Sequence, residues 1–175
     1  MTDFEIIEAR AHHCGQICRL LRSEHESAIL RIGMSAHHRL RAVFDESGFR
    51  KAWVVDGALA GLGGVTGPLV ASSGMVWFAL SRRALHFRMR LVKEAQNQLA
   101  ILSAFKHELV TEVYGGDEPA LRFAIFLGFT PVEQCARAVS ADGRRDLARF
   151  LDAPEQRVVY GNGYVIPLRY RPDRG

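Results

Sequence analysis

The residues Met75-Val76-Trp77-Phe78-Ala79-Leu80 form an uninterrupted apolar run, which is typical of a strand buried in the middle of a sheet. The run leads into the longest helical pattern of the chain, from about Leu85 to Phe105, and a β-branched segment follows from Glu108 to Tyr114. This order predicts two adjacent parallel strands joined by a right-handed crossover. The helix is expected to place these apolar residues near one face: Leu85, Met89, Val92, Leu99, Leu102 and Phe105.

The chain before this unit shows strand and helix signals in turn. Phe4 to Ala9 predicts a short strand, and apolar residues from Ile17 to Ile29 recur at the spacing of one helix. Ser35 is placed to cap a second short helix that stops at Gly48. Two helices are therefore expected between the first strand and the centre of the chain.

A hairpin is predicted next. Asp56-Gly57 separates the apolar runs Trp53 to Val55 and Leu59 to Val65, which is a strong hairpin signature. The second run contains glycines at 61, 63 and 64, which weaken a strand and indicate that another group packs very close to its backbone.

The remainder of the chain predicts one more helix and a terminal hairpin. The helix runs from Pro119 to Leu127 and is closed by Gly128, and the hairpin covers about 157–170 around Gly161-Asn162-Gly163. Helices between strands late in the chain and a meander in its middle predict a mixed twisted sheet flanked by helices, an α/β (α+β mixed) fold.

The composition predicts one globular domain over 1–175. The 175 residues include 23 Lys and Arg against 19 Asp and Glu, a formal net charge of +4, and 48% are hydrophobic. Because such a chain can bury a core, disorder is excluded. Its acidic N-terminus does not resemble a secretory signal, and an odd number of cysteines, three, argues against a disulfide framework. We expect a cytoplasmic protein without a membrane partner.

The charges are mixed along most of the chain, so nucleic acid is not an expected partner. One stretch departs from this mixture, because no acidic residue precedes Glu94 among its cations. It is a candidate phosphate site, and a solvated helix face is the alternative. The stretch contains Arg82, Arg83, Arg88, Arg90 and Lys93.

The segment Ala120-Leu121-Arg122-Phe123-Ala124-Ile125-Phe126-Leu127-Gly128-Phe129, which follows a strand and a turn, resembles the GCN5-related N-acetyltransferase (GNAT) superfamily. An apolar helix closed by Leu-Gly-Phe is the most specific point of the resemblance. A narrower similarity, over about 14–130, is to a tailed-phage family of acetyltransferase-like proteins, some of them internal virion proteins. It is carried by the same segment together with Trp77, Phe87-Arg88, Leu109 and Val113.

The resemblance implies an acyl-CoA N-acyltransferase fold in which acetyl-CoA lies where the fourth and fifth strands separate. Backbone amides at the start of the next helix would hold its pyrophosphate, normally with the help of glycines. The corresponding segment, Leu80 to Arg88, contains no glycine and carries bulky side chains. Arginine side chains could substitute through charge-assisted hydrogen bonds, and exposed cations flanking the helix are the favoured alternative for Arg82 and Arg83. Asp117 stands where the superfamily often has Asn, and its charge would repel the phosphates. The implied cofactor-binding residues are Leu80, Arg82, Arg83, Phe87, Arg88 and Asp117.

The resemblance also implies direct attack of an amine on the thioester, assisted by a base and by an acid that protonates the thiolate. The superfamily's usual acid, a tyrosine, corresponds to Ala124, which has no proton to donate. Glu24 and Glu26 are the candidate catalytic bases, and surface carboxylates are the alternative for both.

No metal site is predicted. His12, His13, Cys14 and Cys18 lie close together in sequence, but no second set occurs at structural-zinc spacing. Partly buried thiols and a histidine that caps a helix are the favoured interpretation.

Two functions remain open. The first is transfer of an acetyl group from acetyl-CoA to the amine of a small molecule or a protein, with a degenerate cofactor loop. The second is a non-catalytic phage protein of the same fold with a structural or host-modulating role. A second copy of the chain or virion proteins are alternative partners, and a phage-encoded chain would lie in the host cytoplasm or the virion.

Overall fold

The structure is a computed structural model that describes residues 3–31, 33–68, 70–114, 116–132, 158–160 and 163–170. Its elements in chain order are β1 (Phe4–Glu8), α1 (Ala11–Cys18), α2 (Ser23–Arg31), α3 (Ala36–Asp45), β2 (Ser47–Val55), β3 (Ala58–Thr66), β4 (Ser73–Leu80), a 3₁₀ helix (Arg82–Phe87), α4 (Arg88–Phe105), β5 (Glu108–Tyr114), α5 (Glu118–Phe126), β6 (Phe129–Pro131), β7 (Val158–Tyr160) and β8 (Gly163–Tyr170).

The strands form one mixed sheet in the order β1-β2-β3-β4-β5-β8-β6, with β7 also paired to β8. Strands β4 and β5 are parallel, and the other pairings between described strands are antiparallel. This confirms the predicted mixed sheet and the adjacency of the two strands on either side of the long helix. The terminal hairpin is also present, and β8 lies between β5 and β6.

The parallel ladder of β4 and β5 is short. It joins Ser73–Met75 to Glu108–Val110, and at its end the Thr111 hydroxyl donates a hydrogen bond to the Val76 carbonyl at 2.8 Å. Beyond that bond no further β4–β5 register pair occurs among the described residues. The two strands therefore separate toward their carboxyl ends.

The alternation of a strand shows which backbone groups of β4 face this separation. The Val76 carbonyl points toward β5, whereas the Ser81 amide points toward β3 and donates to the Ala60 carbonyl at 2.9 Å. Successive residues of a strand direct their backbone groups to opposite edges. The backbone groups of Phe78 and Leu80 therefore point toward the β5 side, as the Val76 carbonyl does.

Helices cover both faces of the sheet. Helices α1, α2 and α3 pack with Trp77 and Ala79 of β4 in one core cluster, while α4 and α5 pack with Val76 of β4 and with β5 in another. Because residues 76 and 77 point to opposite faces, the two clusters lie on opposite sides of the sheet. The predicted flanking helices are confirmed.

The glycines of β3 make room for an aromatic ring. A Cβ on Gly63 would lie 2.7 Å from Trp53 Cη2 and 3.0 Å from Phe78 Cδ1, and one on Gly61 would lie 3.0 Å from Trp53 Cε3. The Trp53 and Phe78 rings stack with centroids 5.8 Å apart. The predicted close approach is therefore confirmed, and the approaching group is Trp53.

Two predictions about the first helices are corrected. The single helix expected over Ile17 to Ile29 is two helices, because the backbone at Leu21 forms a bridge with Ser81 and interrupts the helical ladder. The second predicted helix ends at Asp45, since Ser47 already pairs in β2. Ser35 does cap it, and its side chain accepts from the His38 amide at 3.2 Å.

The apolar face predicted for the long helix is wrong in part. Leu85, Met89 and Phe105 are exposed by 58%, 70% and 72%, although Leu99 and Leu102 are buried. The α-helix begins only at Arg88, after a 3₁₀ turn that shifts the register. The residues that α4 buries are Leu91, Ala95, Leu99 and Leu102.

Candidate active site

A cavity of about 520 Å³ lies where β4 and β5 separate. Much of its wall is apolar and comes from β4, from the start of α4 and from α5, including Phe78, Leu80, Phe123 and Ala124. A mostly apolar cavity with polar groups at particular positions is typical of a small-molecule site. The polar and charged residues in its lining are Arg22, His25, Arg39, Ser81, Arg88, Thr111, Glu112, Tyr114 and Arg122.

Asp117 holds a buried polar cluster beside the cavity. Its side chain caps α5 by accepting from the Ala120 amide at 3.1 Å, and it also accepts from Arg22 Nη2, at 3.1 and 3.3 Å to its two oxygens. His25 Nδ1 lies 2.7 Å from Asp117 Oδ2. Burial acts to raise the pKa of Asp117, but the His25 hydrogen bond and the Arg22 charge outweigh it and hold the pKa below its ordinary value. Asp117 is therefore an ionised, compensated carboxylate.

The cluster fixes the tautomer of His25. An ionised carboxylate can only accept, so Nδ1 of His25 carries the proton and donates it to Asp117. In the neutral ring, Nε2 then has the free lone pair. His25 is 8% exposed and lines the cavity. Its ring packs edge-on against the Tyr114 ring, with the two centroids 5.7 Å apart.

A second polar group lies on β5. Arg39 Nε donates to the Tyr114 hydroxyl at 2.9 Å, and Arg39 Nη2 donates to Glu112 at 3.3 Å. Burial raises the pKa of Tyr114, and the Arg39 charge offsets this only in part, so the hydroxyl keeps its proton at neutral pH. Because its oxygen accepts from Arg39, that proton is available to another acceptor.

Three backbone amides at the end of β4 and in the loop after it donate hydrogen bonds to carbonyls of the same chain. The Ser81 amide donates to the Ala60 carbonyl at 2.9 Å, the Arg82 amide to the Leu20 carbonyl at 3.1 Å, and the Ala84 amide to the Ser81 carbonyl at 3.1 Å. These three N–H groups are directed at carbonyls of the chain. These three amides are therefore not available to a phosphate, and arginine side chains of the loop are alternative donors.

Within the part of the chain that the structure describes, two buried polar atoms of the cavity lining have no hydrogen-bond partner. They are Arg22 Nε and Ser81 Oγ, on residues that are 8% and 1% exposed. Their backbones are neighbours through the bridge between Leu21 and Ser81. A buried donor without a partner is costly, so both atoms are suited to a polar ligand group.

The residues predicted from sequence are only partly brought together. Leu80 and Arg88 line the cavity, and Asp117 lies behind it as the acceptor for Arg22 and His25. Arg82 and Arg83 are exposed on the 3₁₀ helix, and Phe87 is half-buried there. Glu24 and Glu26 are exposed on α2, where the Glu24 carboxylate accepts from Ser23. The functions predicted for these residues stay predictions.

No sequence signal pointed to Arg22, His25 or Arg39, and Ser81 was included only as part of the segment Leu80 to Arg88. Tyr114 had one available signal, since it ends a strand predicted to be parallel and sites gather at the carboxyl ends of such strands. His25 carries no motif, and its partner Asp117 is 92 residues away in sequence.

His13 and Cys14 of α1 have structural roles. His13 Nδ1 accepts from the Arg10 amide at 2.9 Å and so caps the helix, which confirms the favoured interpretation. Cys14 is buried, and burial raises the pKa of its thiol to about 11. Within the described ranges, no group of three or more metal-ligating side chains occurs, and no helix is long and apolar enough to cross a membrane.

No family model matches the sequence, and no curated protein matches it. Solved structures match the fold. The aminoglycoside acetyltransferase AAC(6')-Ib with ribostamycin and coenzyme A matches with a TM-score of 0.60 at 9% identity, over 99% of this chain and 98% of that chain. Its complex with acetyl-CoA gives a TM-score of 0.59 at 10% identity, over 99% and 98%. A GNAT-family acetyltransferase from Bacillus anthracis gives 0.59 at 9% identity, over 95% and 92%. The chain therefore has the fold of the GNAT acetyltransferases.

Proposed function

We propose that the chain binds acetyl-CoA between β4 and β5 and transfers the acetyl group to an amine. The observation that carries the proposal is the early end of the β4–β5 ladder, which opens a cavity of about 520 Å³ along a strand edge. The known structures of this fold include complexes with coenzyme A and acetyl-CoA. Acetyl-CoA would supply an activated acyl group as a thioester.

The edge of β4 suits the pantetheine arm. The backbone groups of Phe78 and Leu80 share the edge that faces the cavity, and amides of an extended ligand can pair with such an edge as a strand does. An N–H on the same edge is also the kind of donor that stabilises the oxyanion of an attacked thioester. The apolar side chains around it exclude water.

Cations suit the phosphate end. Arg88 lies at the first turn of α4 and lines the cavity, and Arg82 and Arg83 are exposed on the preceding turn. With the amides of Ser81, Arg82 and Ala84 bonded to carbonyls of the chain, these guanidinium groups can supply charge-assisted hydrogen bonds to phosphate oxygens. The proposed cofactor loop thus lacks glycines and has three backbone amides that are already bonded, but it carries cationic side chains.

Turnover is proposed to be slow. Ala124 lines the cavity and offers no proton to the leaving thiolate. Loss of a positioned acid typically lowers the rate by about 10² to 10⁴. We therefore expect little acetyl transfer to generic amines such as spermidine.

Calorimetric titration with acetyl-CoA tests the proposal. One-to-one binding, accompanied by a rise in melting temperature, is the expected result. Thiol release in the presence of amines then measures transfer. No heat of binding and an unchanged melting temperature would overturn the proposal.

A second function, a non-catalytic protein of the same fold, is supported by two observations. The Arg82 amide is bonded to the Leu20 carbonyl, and Ala124 replaces the acid. In that case the protein would act through partners, a second copy or phage virion proteins, in a structural or host-modulating role. Binding of acetyl-CoA with measurable thiol release favours the first function, and no binding favours the second.

A further inference from the structure

We propose that His25 is the general base that deprotonates the acceptor amine, and that Asp117 is the positioning residue that orients it. The inference rests on the proposed acetyl transfer and adds the residue that accepts the proton. It replaces the expectation that a carboxylate of α2, Glu24 or Glu26, serves as the base.

The geometry of the pair supports this assignment. His25 lines the cavity, and the carboxylate of Asp117 lies 2.7 Å from its Nδ1. The same carboxylate accepts hydrogen bonds from Arg22, the residue before α2, at 3.1 Å and from the Ala120 amide of α5. The position of the carboxylate is therefore fixed from both sides. An imidazole oriented through one nitrogen is poised to act through the other.

The neighbourhood also explains why this histidine can serve as a base. Among the described residues, Asp117 and Tyr114 contact the ring. Asp117 is paired with Arg22, and the Tyr114 hydroxyl accepts from Arg39, which also donates to Glu112. Each of these charged groups therefore has a partner of opposite charge. By contrast, Glu24 and Glu26 are exposed on the same helix.

The proton transfer balances as follows. His25 Nε2 takes one proton from the ammonium form of the acceptor, which leaves a neutral amine. The amine nitrogen forms the C–N bond at the thioester carbonyl carbon, and the C–S bond breaks with its electron pair moving to sulfur. The second amine proton reaches the thiolate, directly or through water, and His25 returns its proton to solvent. The products are an amide and free coenzyme A.

The test uses the full chain with acetyl-CoA and three acceptors, spermidine, glutamate and water, and follows thiol release between about pH 5 and pH 9. His25→Gln keeps a donor for Asp117 but cannot act as a base, and we expect thiol release to fall about 10²-fold or more. The affinity for acetyl-CoA, measured by calorimetry, should stay within about twofold because the base contacts the acceptor. His37→Gln is the matched control, since His37 is exposed on α3.

Two further variants separate catalysis from structure. In His25→Ala, added imidazole should restore thiol release, which it could not do if His25 served only to support the fold. Asp117→Asn presents an N–H to Nδ1 and so favours the tautomer with Nε2 protonated, and it should lower kcat about 10²-fold or more without changing the KM for acetyl-CoA. The rate of thiol release should decrease at acid pH in the wild type and in His37→Gln. The residual rate of His25→Gln should not show that decrease.

The outcomes are distinct. Wild-type rates in His25→Gln, an unchanged acid limb in that variant, or failure of imidazole to restore folded His25→Ala would each overturn the assignment. A wild type that binds acetyl-CoA but releases no thiol with any of the three acceptors would also overturn it. Absence of acetyl-CoA binding by the wild type is the separate result that overturns the proposed function.

Discussion

Arg88, Arg82 and Arg83 are all exposed, but of the three only Arg88 lines the cavity. We expect Arg88→Ala to raise the Kd for acetyl-CoA about 10-fold to 100-fold, since a hydrogen bond to a charged group contributes roughly 1.5 to 3 kcal/mol. Replacing all three arginines with Ala should weaken binding further. Calorimetric titration measures both effects.

Lys93→Ala is the control for this prediction, because Lys93 is an exposed cation one turn further along α4. Its removal should leave the affinity unchanged. An equal loss of affinity in Lys93→Ala and Arg88→Ala would mean that the helix attracts the phosphates only through its overall charge.

Ala124 is the position at which an acid could be restored. It is 7% exposed, lies on α5 and lines the cavity, which has a volume of about 520 Å³. We expect Ala124→Tyr to raise the rate of thiol release with spermidine by about 10-fold or more, because a phenol can protonate the departing thiolate. Ala124→Phe, which adds the ring without the hydroxyl, is the matched control. A brisk wild-type rate that neither variant increases would contradict the prediction and place the acid elsewhere, with Tyr114 as the next residue to change.

At the scale of the element, a glycine of β3 is crowded by neighbouring side chains, whereas a glycine of α1 faces open space. Gly63→Ala places a methyl group 2.7 Å from the Trp53 ring, which is stacked on Phe78 and cannot move away, so we expect a loss of about 1–3 kcal/mol in the free energy of unfolding. Gly15→Ala adds a methyl group to α1 with nothing within 4 Å, and it should stabilise the protein by about 0.5–1 kcal/mol.

Urea unfolding followed by circular dichroism compares the two variants under identical conditions. The sign of the change is the decisive result. If both substitutions stabilised the protein, the Trp53 ring would have to be free to shift away from β3. That outcome would also imply a different wall for the cavity, because Phe78, which lines it, packs against Trp53 and Gly63.

At the scale of the whole molecule, the stability of the fold should depend on pH through Asp117, which joins α2, α5 and the turn between α1 and α2. Its pKa is lower in the folded than in the unfolded chain, so the ionised carboxylate stabilises the fold above the unfolded value of about 3.9. That contribution is lost as the pH falls through the lower, folded pKa. We expect the melting temperature to decrease below about pH 4.

Asp117→Asn isolates this contribution from those of the other carboxylates. The variant should be less stable than the wild type at pH 7, by about 3 kcal/mol, because Arg22 loses its buried partner. Its stability should then depend less on pH than that of the wild type. A parallel decline in both proteins would contradict the pKa direction, and melting curves recorded from neutral to acid pH decide between the two results.

The amino-acid sequence by itself determined the parts of this protein whose signals are local. Asp56-Gly57 predicted the β2–β3 turn because both residues tolerate positive φ, here 48° and 72°. Ser35 predicted the start of α3, and the apolar run before Leu80 predicted the strand that pairs in parallel with β5. Each of these depends on backbone preferences or periodicity within a few residues, which a sequence displays directly.

Only the tertiary structure decided where β4 and β5 separate and which side chains meet there. Arg22 and His25 reach Asp117 across 95 and 92 residues of sequence, and Leu21 breaks a continuous helical pattern by pairing with Ser81. Local periodicity cannot show such contacts, because their stability comes from a buried charge cluster and a strand bridge that exist only once distant elements are packed. Leu80 and Arg88 were named because they lie in one contiguous segment that resembles a known family, whereas no contiguous segment links His25 to Asp117.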